Sequence, residues 1–317
     1  MTEPSGVLLL SRSEVKAAMP VLRTQIELVE RAYRGVHAGR VELPPKPGIH
    51  PRKDAFIHAM PAYLADDDIA AMKWVSGYPE NKALGLPYIS GLIILNDAST
   101  GFPVAILDAI EITAARTAAA SGLCIERFAP AGWQSAAILG CGEQGRYHAE
   151  VINFLNPDVE LRVYDPDVGR ARAIPNASVA RTPRAAVEDA EIVITAGPIL
   201  EQPTPTIDVE WVAESCLVLP IDFDAYVRRE VVVSAVTFLV DDVGQFAYYR
   251  SAGHFSDWPD PDSSVGAELD APPEAPARSG RVCIANLGIG ALDAAFAAQV
   301  VKRAEKENRG ARFDIWS

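Results

Sequence analysis

Sulfur is scarce in this 317-residue chain. Its four cysteines, Cys124, Cys141, Cys216 and Cys283, form no CxxC pair and have no metal-ligand spacing. That removes the pattern of a disulfide scaffold or a zinc site, and the four read as small buried apolar groups in a reducing compartment. No uncharged apolar stretch reaches the roughly 20 residues of a membrane span. Met1-Thr-Glu-Pro lacks the basic-then-apolar plan of a signal peptide, so a cytoplasmic protein is expected. Positive charge is in deficit too. Lys and Arg number 29 against 42 Asp and Glu, for a net charge of −13. Such a balance argues against nucleic acid or an anionic membrane as the main partner, while leaving room for a local cationic pocket. The GxSxG, HExxH and Walker A motifs are missing, as are internal repeats.

What is present is an ordinary globular composition, 49% hydrophobic and 22% charged, long enough for two domains. Its most informative segment is Ser135-Ala-Ala-Ile-Leu-Gly-Cys-Gly-Glu-Gln-Gly145, followed by Val163-Tyr-Asp165. The pattern is a buried strand, a glycine-rich turn, a helix start and a second strand ending in a carboxylate. Gly140 permits the tight turn, Gly142 lets backbone approach a pyrophosphate, and Gly145 lets helix and strand pack closely. Glu143 and Gln144 open the helix, whose N-terminal N–H groups and dipole favour an anion. Asp165 is placed for a ribose diol and would repel a 2′-phosphate. NAD(H) is therefore expected, with NADP(H) the lesser alternative because Arg162, Arg170 and Arg172 lie near that strand.

The first third mixes strands and helices. Val7–Leu10 reads as a strand, Ser11-Arg-Ser-Glu14 as a capping box, and Pro20–Ala38 as an amphipathic helix. After the proline-rich Leu43–Gly48, strand-like runs follow at Ala55–Tyr63, Ile69–Val75, Tyr88–Leu95 and Val104–Leu107. Asn96-Asp-Ala-Ser-Thr-Gly101 is a hairpin signal between the last two. An alanine-rich helix runs from Ile112 to Phe128. Beyond it, Ala136–Leu139, Leu161–Tyr164, Ile192–Thr195, Cys216–Pro220 and Phe238–Val240 alternate with helical stretches, as in a doubly wound parallel sheet. Ser256–Ser279 is acidic and proline-rich and reads as an exposed loop. Ala294–Asn308 is the last helix.

Ligands in such folds lie beyond the carboxyl ends of the strands, which directs attention to Lys73, Arg116, Thr117, Asp224 and the segment near Gly288. Lys73 interrupts the apolar strand Ala70–Val75, and it reads equally as an edge-strand solubility device or as a functional group. Arg116 sits on a helix of Ala, Thr and Ile and needs an anion there, either a structural carboxylate or a substrate's. Asp224 lies just past a buried strand, with Asp222 close by, and spacing does not choose between them. His148, on the helix after the glycine turn, reads as structural.

Taken together, Met72-Lys-Trp-Val-Ser-Gly-Tyr-Pro-Glu-Asn81, Leu95–Gly101 with Pro103, Ile112-Thr-Ala-Ala-Arg-Thr-Ala-Ala119, Gly140–Gly145, and Asp224 with Glu230 resemble the ornithine cyclodeaminase/μ-crystallin family. The resemblance runs from about Met60 to Asp293. It implies an α/β protein with a Rossmann-type doubly wound parallel sheet domain and a smaller α+β substrate and dimerisation domain. The first would be residues 119–287 and the second residues 1–118 with 288–317. It also implies a homodimer and an NAD(P)-dependent enzyme acting at the carbon–nitrogen bond of an L-amino acid or its imine.

By the same resemblance, Lys73 and Arg116 match substrate-carboxylate ligands, and Lys46 falls near a third. Thr117 matches a cofactor-phosphate contact and Asp224 the catalytic carboxylate near the amine. Departures from the family pattern cluster around the substrate pocket. His58 replaces a glutamate, Tyr88 a small hydroxyl residue and Asp222 a glycine, while Asn286 sits in the glycine segment. Gly145 replaces the usual alanine. The expected activity is amino-acid dehydrogenase or imine reductase, with Lys73 also a candidate proton donor. The alternatives are ornithine cyclodeaminase, with NAD as a hydride shuttle, and a non-catalytic ligand store. His58, Tyr88, Asp222 and the Ser256–Ser279 loop are expected to set the substrate.

Overall fold

The computed structural model describes residues 6–270 and 280–315. The chain forms two compact units, Met1–Arg116 with Ile289–Ser317, and Thr117–Gly288. It is an α/β protein with a mixed sheet in the first unit and a parallel sheet in the second. Among the described residues no helix is long and apolar enough to cross a membrane.

The first unit opens with β1 (Val7–Leu10), α1 (Arg12–Ala18) and α2 (Leu22–His37). The capping box at the start of α1 is formed, with Ser11 N donating to Glu14 Oε2 at 2.8 Å. The two-residue strands β2 (Val41–Glu42) and β3 (Gly48–Ile49) follow, then β4 (Phe56–Leu64), β5 (Ile69–Gly77), β6 (Ile89–Asp97) and β7 (Pro103–Asp108). These four pair antiparallel in sequence, whereas β1 runs parallel to β7. Their alternation is what a sheet covered on one face requires. Ala71, Lys73 and Val75 are buried, while Met72 and Trp74 point the other way. α3 (Ile110–Phe128) carries the chain out of the unit.

The second unit contains β8 (Ser135–Leu139), α4 (Glu143–Leu155), β9 (Glu160–Tyr164), α5 (Val168–Arg172), β10 (Ser178–Val179), α6 (Pro183–Val187) and β11 (Ile192–Thr195). Next come β12 (Leu217–Pro220), α7 (Arg229–Val233), β13 (Thr237–Val240), α8 (Val243–Ser251), β14 (Ser263–Ser264), α9 (Val265–Glu268) and β15 (Val282–Ala285). The sheet order is β10-β9-β8-β11-β12-β15-β13-β14, all parallel. β11, β12 and β15 are buried along their whole length, which accounts for their unbroken apolar character. The strand order reverses at β8, so a ligand site is expected at its carboxyl end.

Several elements differ from the sequence reading. β15, only four residues long and next to the proline-rich segment, inserts between β12 and β13. Ser256–Ser279 is not wholly loop. Ser263–Ser264 extends the sheet edge, and Val265 on α9 and Leu269 just past it are buried. The remainder of that segment, 271–279, lies outside the described residues, as does Met1-Thr-Glu-Pro. Finally, α10 (Gly290–Lys306) and β16 (Ala311–Phe313) return the chain to the first unit. α10 packs on β4, β5, β6 and α2. Its first residue must be glycine, since a Cβ on Gly290 would lie 2.8 Å from the Met60 carbonyl oxygen. That close approach sets Asp293 directly over the sheet.

Candidate active site

In the first unit, the covered face of β5 carries a buried charge cluster. Lys73 Nζ donates to Asp293 Oδ1 at 2.8 Å, with Thr113 Oγ1 at 3.4 Å. Arg116 Nε donates to the same Oδ1 at 3.3 Å. The side chains of Lys73 and Asp293 are each 1% exposed and that of Arg116 is 9% exposed. Two cations and one carboxylate thus share a single oxygen and leave a net charge of +1. Desolvation lowers the Lys73 ammonium to about 8. The Arg116 charge pushes the same way, and Asp293 opposes both.

Arg116 has a structural carboxylate, yet reaches it through Nε alone. Its Nη1 and Nη2 donate to no described residue, and Asp293 Oδ2 is buried without a partner. Leaving a buried carboxylate oxygen unsatisfied costs about 1–3 kcal/mol or more. Asp293 was not singled out from sequence. The only signal was an acidic residue in the first turn of an otherwise alanine-rich helix.

His58 shares this covered face. It stands opposite Val75 and diagonal to Lys73, which is opposite Met60. Phe56 stacks on the His58 ring at 4.4 Å between centroids. Lys46 is buried in the strap before β3, and Gly48 abuts the His58 ring. Tyr88 is set apart. Its carbonyl pairs with Tyr78 N, and it lies five residues before Ile93, the partner of Lys73, or roughly 17 Å along the strand.

In the second unit, the glycine turn has the form its spacing demands. Gly140 sits at φ +98°, where a Cβ would meet the Ala196 carbonyl oxygen at 2.5 Å. A Cβ on Gly145 would lie 2.0 Å from the Gly140 oxygen, so this turn is too tight for the alanine usual in the family. Open space surrounds Gly142, which caps α4 without supplying a side-chain acceptor to its first turn. Glu143 is turned outward, toward Arg146 at 3.0 Å, and Gln144 lends its carbonyl to His148 Nδ1. Asp165 Oδ2 accepts from Cys141 N, and Oδ1 accepts from Asp167 N, each at 2.8 Å. The carboxylate is tied to the turn itself, a link the sequence reading missed.

Neighbouring strand ends extend this row. Thr195 ends β11, Asp222 and Asp224 follow β12, and Asn286 follows β15. Asp222 accepts from Thr195 Oγ1 at 2.6 Å and Gly197 N at 2.8 Å, while burial pushes its carboxyl up to about 7. Asp224 Oδ2 accepts from Phe255 N at 2.6 Å, and His254 Nδ1 lies 3.4 Å from Oδ1. Phe223 between them has φ +63° and Phe255 has φ +53°. Bulky residues rarely adopt that region, and such strain collects at functional sites. His254 and the two phenylalanines carried no legible signal in sequence. Asn286 is buried, with Nδ2 3.7 Å from Cys124 Sγ, and Thr117 is buried in α3. His148 is buried between Ser121 Oγ and the Gln144 carbonyl, held down to about 4 by desolvation, in keeping with a structural role.

The molecule therefore belongs to the class of α/β proteins that pair a Rossmann-type sheet with a second, mixed-sheet unit. The ornithine cyclodeaminase/mu-crystallin family profile matches residues 7–241, and the chain is a member of that family. Nodulation efficiency protein NfeD of Rhizobium meliloti is 33% identical over 309 residues, covering 95% of this chain and 96% of that one. Among solved structures, Thermococcus litoralis Δ1-pyrroline-2-carboxylate reductase, in complex with NADH and L-proline, superimposes with a TM-score of 0.85. It is 27% identical, and the match covers 97% of this chain and 100% of that one. An archaeal alanine dehydrogenase dimer with bound NAD gives a TM-score of 0.84 at 25% identity, covering 98% and 99% of the two chains.

Proposed function

We propose that this protein is an NAD(H)-dependent oxidoreductase acting at the carbon–nitrogen bond of an L-amino acid or its imine. One observation carries the reading: buried Lys73 and Arg116 share a single carboxylate oxygen while the outer guanidinium nitrogens of Arg116 donate to no described residue. A buried cationic pair in that state is matched to a ligand carboxylate. The named activities and bound dinucleotides of the family relatives agree with it.

Lys73 and Arg116 hold the substrate carboxylate and so fix the α-carbon. Positioning of this kind supplies roughly 7–11 kcal/mol of a barrier. The glycine turn fits the dinucleotide, because Gly142 leaves room and the first turn of α4 lacks a side-chain cap. Gly140, Gly142, Glu143, Gln144 and Gly145 would line the pyrophosphate, with Thr117 and Asn286 as further contacts. Asp165 keeps acceptor positions for a ribose diol, since a carboxylate has about four. When bound, NAD(H) supplies or accepts the hydride at the α-carbon. Asp224 holds the amine or passes its proton to solvent, and Lys73 near 8 is a second proton donor. His58, on the same face as Lys73, helps set the side chain the site admits, and Lys46 is the candidate third carboxylate ligand.

Turnover should appear in a panel of 2-oxo acids with ammonia or amines, cyclic imines and free L-amino acids, followed through NADH and NADPH at about 340 nm. Silence across the panel, or a preference for NADPH, would sink this reading. A cyclodeaminase would instead make proline from ornithine with no net absorbance change. Position 58 weighs against it, because a distal ammonium wants a carboxylate and finds His58 stacked on Phe56.

The protein also acts as a homodimer in this proposal. The uncovered face of the first unit's sheet presents Leu9, Met72, Trp74, Leu92, Ile94 and Ile106. Register makes Trp74 face Leu92, and Ile94 lies between Met72 and Ile106. A second copy of the same apolar face is the natural cover.

A further inference from the structure

Arginine offers a carboxylate two edges, one through Nε and one Nη and the other through Nη1 and Nη2. In this protein the choice is already made. Asp293 Oδ1 accepts from Arg116 Nε, so the Nε edge is taken and the Nη1/Nη2 edge remains. The same oxygen accepts from Lys73 Nζ. Three elements, β5, α3 and α10, thus converge on one atom. A triad built for stability alone would satisfy its remaining groups, whereas here Asp293 Oδ2 is buried without a partner among the described residues, and Arg116 Nη1 and Nη2 donate to no described residue.

We propose that Asp293 is the positioning residue of the carboxylate clamp: it turns the Nη1/Nη2 edge of Arg116 and the ammonium of Lys73 toward the ligand and keeps that ammonium charged. This rests on the clamp reading above and extends it to a residue that does not itself touch substrate. The charged groups acting on Lys73 are Arg116, which works against the ammonium, and Asp293, which works for it. Its strand neighbours across β4 and β6, Met60 and Ile93, carry no charge, Thr113 on α3 is neutral, and the titratable group on the same face of β4 is His58, diagonal to Lys73. Glu111, also on α3, is engaged elsewhere by Arg12 at 2.6 Å. Without the Asp293 charge, Lys73 loses its proton at lower pH, and the clamp drops to a single cation.

The test uses the full chain with NADH and pyruvate, in the absence of amine, as a plain carboxylate probe. Its affinity is followed by calorimetric titration from pH 6 to pH 10. Wild-type affinity should fall as pH passes about 8. In Asp293→Asn the fall should begin about one unit earlier, with binding at neutral pH at least tenfold weaker. Asp293→Glu restores the charge but not the reach, so the alkaline limb should return near its wild-type position while affinity stays reduced. It decides the question if the asparagine variant does not fold. Lys73→Arg should abolish the limb. An Asp293→Asn profile superimposable on wild type, or a limb that survives Lys73→Arg, overturns the proposal with the clamp intact. Pyruvate binding indifferent to Lys73→Ala and Arg116→Ala, or no binding to wild type, overturns the clamp itself.

Discussion

Lys73 and Asp293 stand 220 positions apart in sequence and 2.8 Å apart in space. Sharing that carboxylate with Arg116 makes the pair a structural commitment as well as a functional one. Asp293→Ala leaves two buried cations without their counter-ion, an arrangement expected to cost about 3–5 kcal/mol of unfolding free energy. Adding Lys73→Met should recover part of that loss by removing one stranded charge. Urea unfolding of both variants and the double measures the coupling, and losses that simply add would deny it.

Acid stability should carry two opposed contributions from the second unit. His148 is held at about 4 in the fold against 6.5 in the unfolded chain. Between those values the unfolded state binds a proton that the fold refuses, so stability falls as pH drops through this window. Asp222 behaves oppositely, because burial lifts it to about 7 from 3.8. Across that range the fold keeps a proton that the unfolded state gives up, and stability falls as pH rises. His148→Gln should therefore flatten the acid-side loss, and Asp222→Asn the loss toward neutrality. Equilibrium unfolding at pH 4, 5, 6 and 7 distinguishes them, and parallel profiles in wild type and variants would refute both assignments.

Gly140→Ala tests the turn. The new Cβ would press on the Ala196 carbonyl oxygen at 2.5 Å from a backbone at φ +98°. Left-handed geometry alone costs a non-glycine residue about 1–2 kcal/mol. NADH titration by fluorescence should show affinity reduced at least tenfold. Unaltered affinity would mean that the dinucleotide does not use this turn.

How much of this was legible beforehand follows from how local each signal is. The glycine turn was readable because each glycine answers a constraint within a few residues, and the capping box at Ser11 likewise. β4 to β7 were readable because one covered face imposes alternation. β15 was not, since four buried residues beside a proline-rich segment carry no period. Asp293 was hidden for a different reason. Its partners come from β5 and α3, and only the fold brings a carboxylate near the end of the chain to a lysine at position 73. The left-handed backbones of Phe223 and Phe255 were equally silent, because they are imposed by the bonds around Asp224 and not by residue type.

Arg116→Ala should separate substrate from cofactor. Removing a charge-assisted, bidentate partner costs roughly 1.5–3 kcal/mol for each hydrogen bond, so kcat/KM is expected to fall by about a hundredfold or more. NADH affinity should stay within about twofold, as the glycine turn lies in the other unit. Steady-state kinetics with the substrate found by the panel, set beside NADH titration, give both numbers. An intact KM would remove Arg116 from the clamp.

Self-association should fail when the open sheet face is charged. Leu92 is 50% exposed and Trp74, its cross-strand partner, 45% exposed, both large apolar side chains on an otherwise well-buried sheet. In a two-fold interface each would be buried twice over, once from each copy, so a single substitution acts on both sides. Leu92→Glu places two like charges at such an interface while leaving the covered face, with Lys73 and Ile93, untouched. Light scattering behind a sizing column should report a dimer for wild type and a monomer for Leu92→Glu, with unfolding midpoints in urea close to one another at high dilution. A wild-type monomer, or a charged variant that remains dimeric, would locate the partner face elsewhere or deny it.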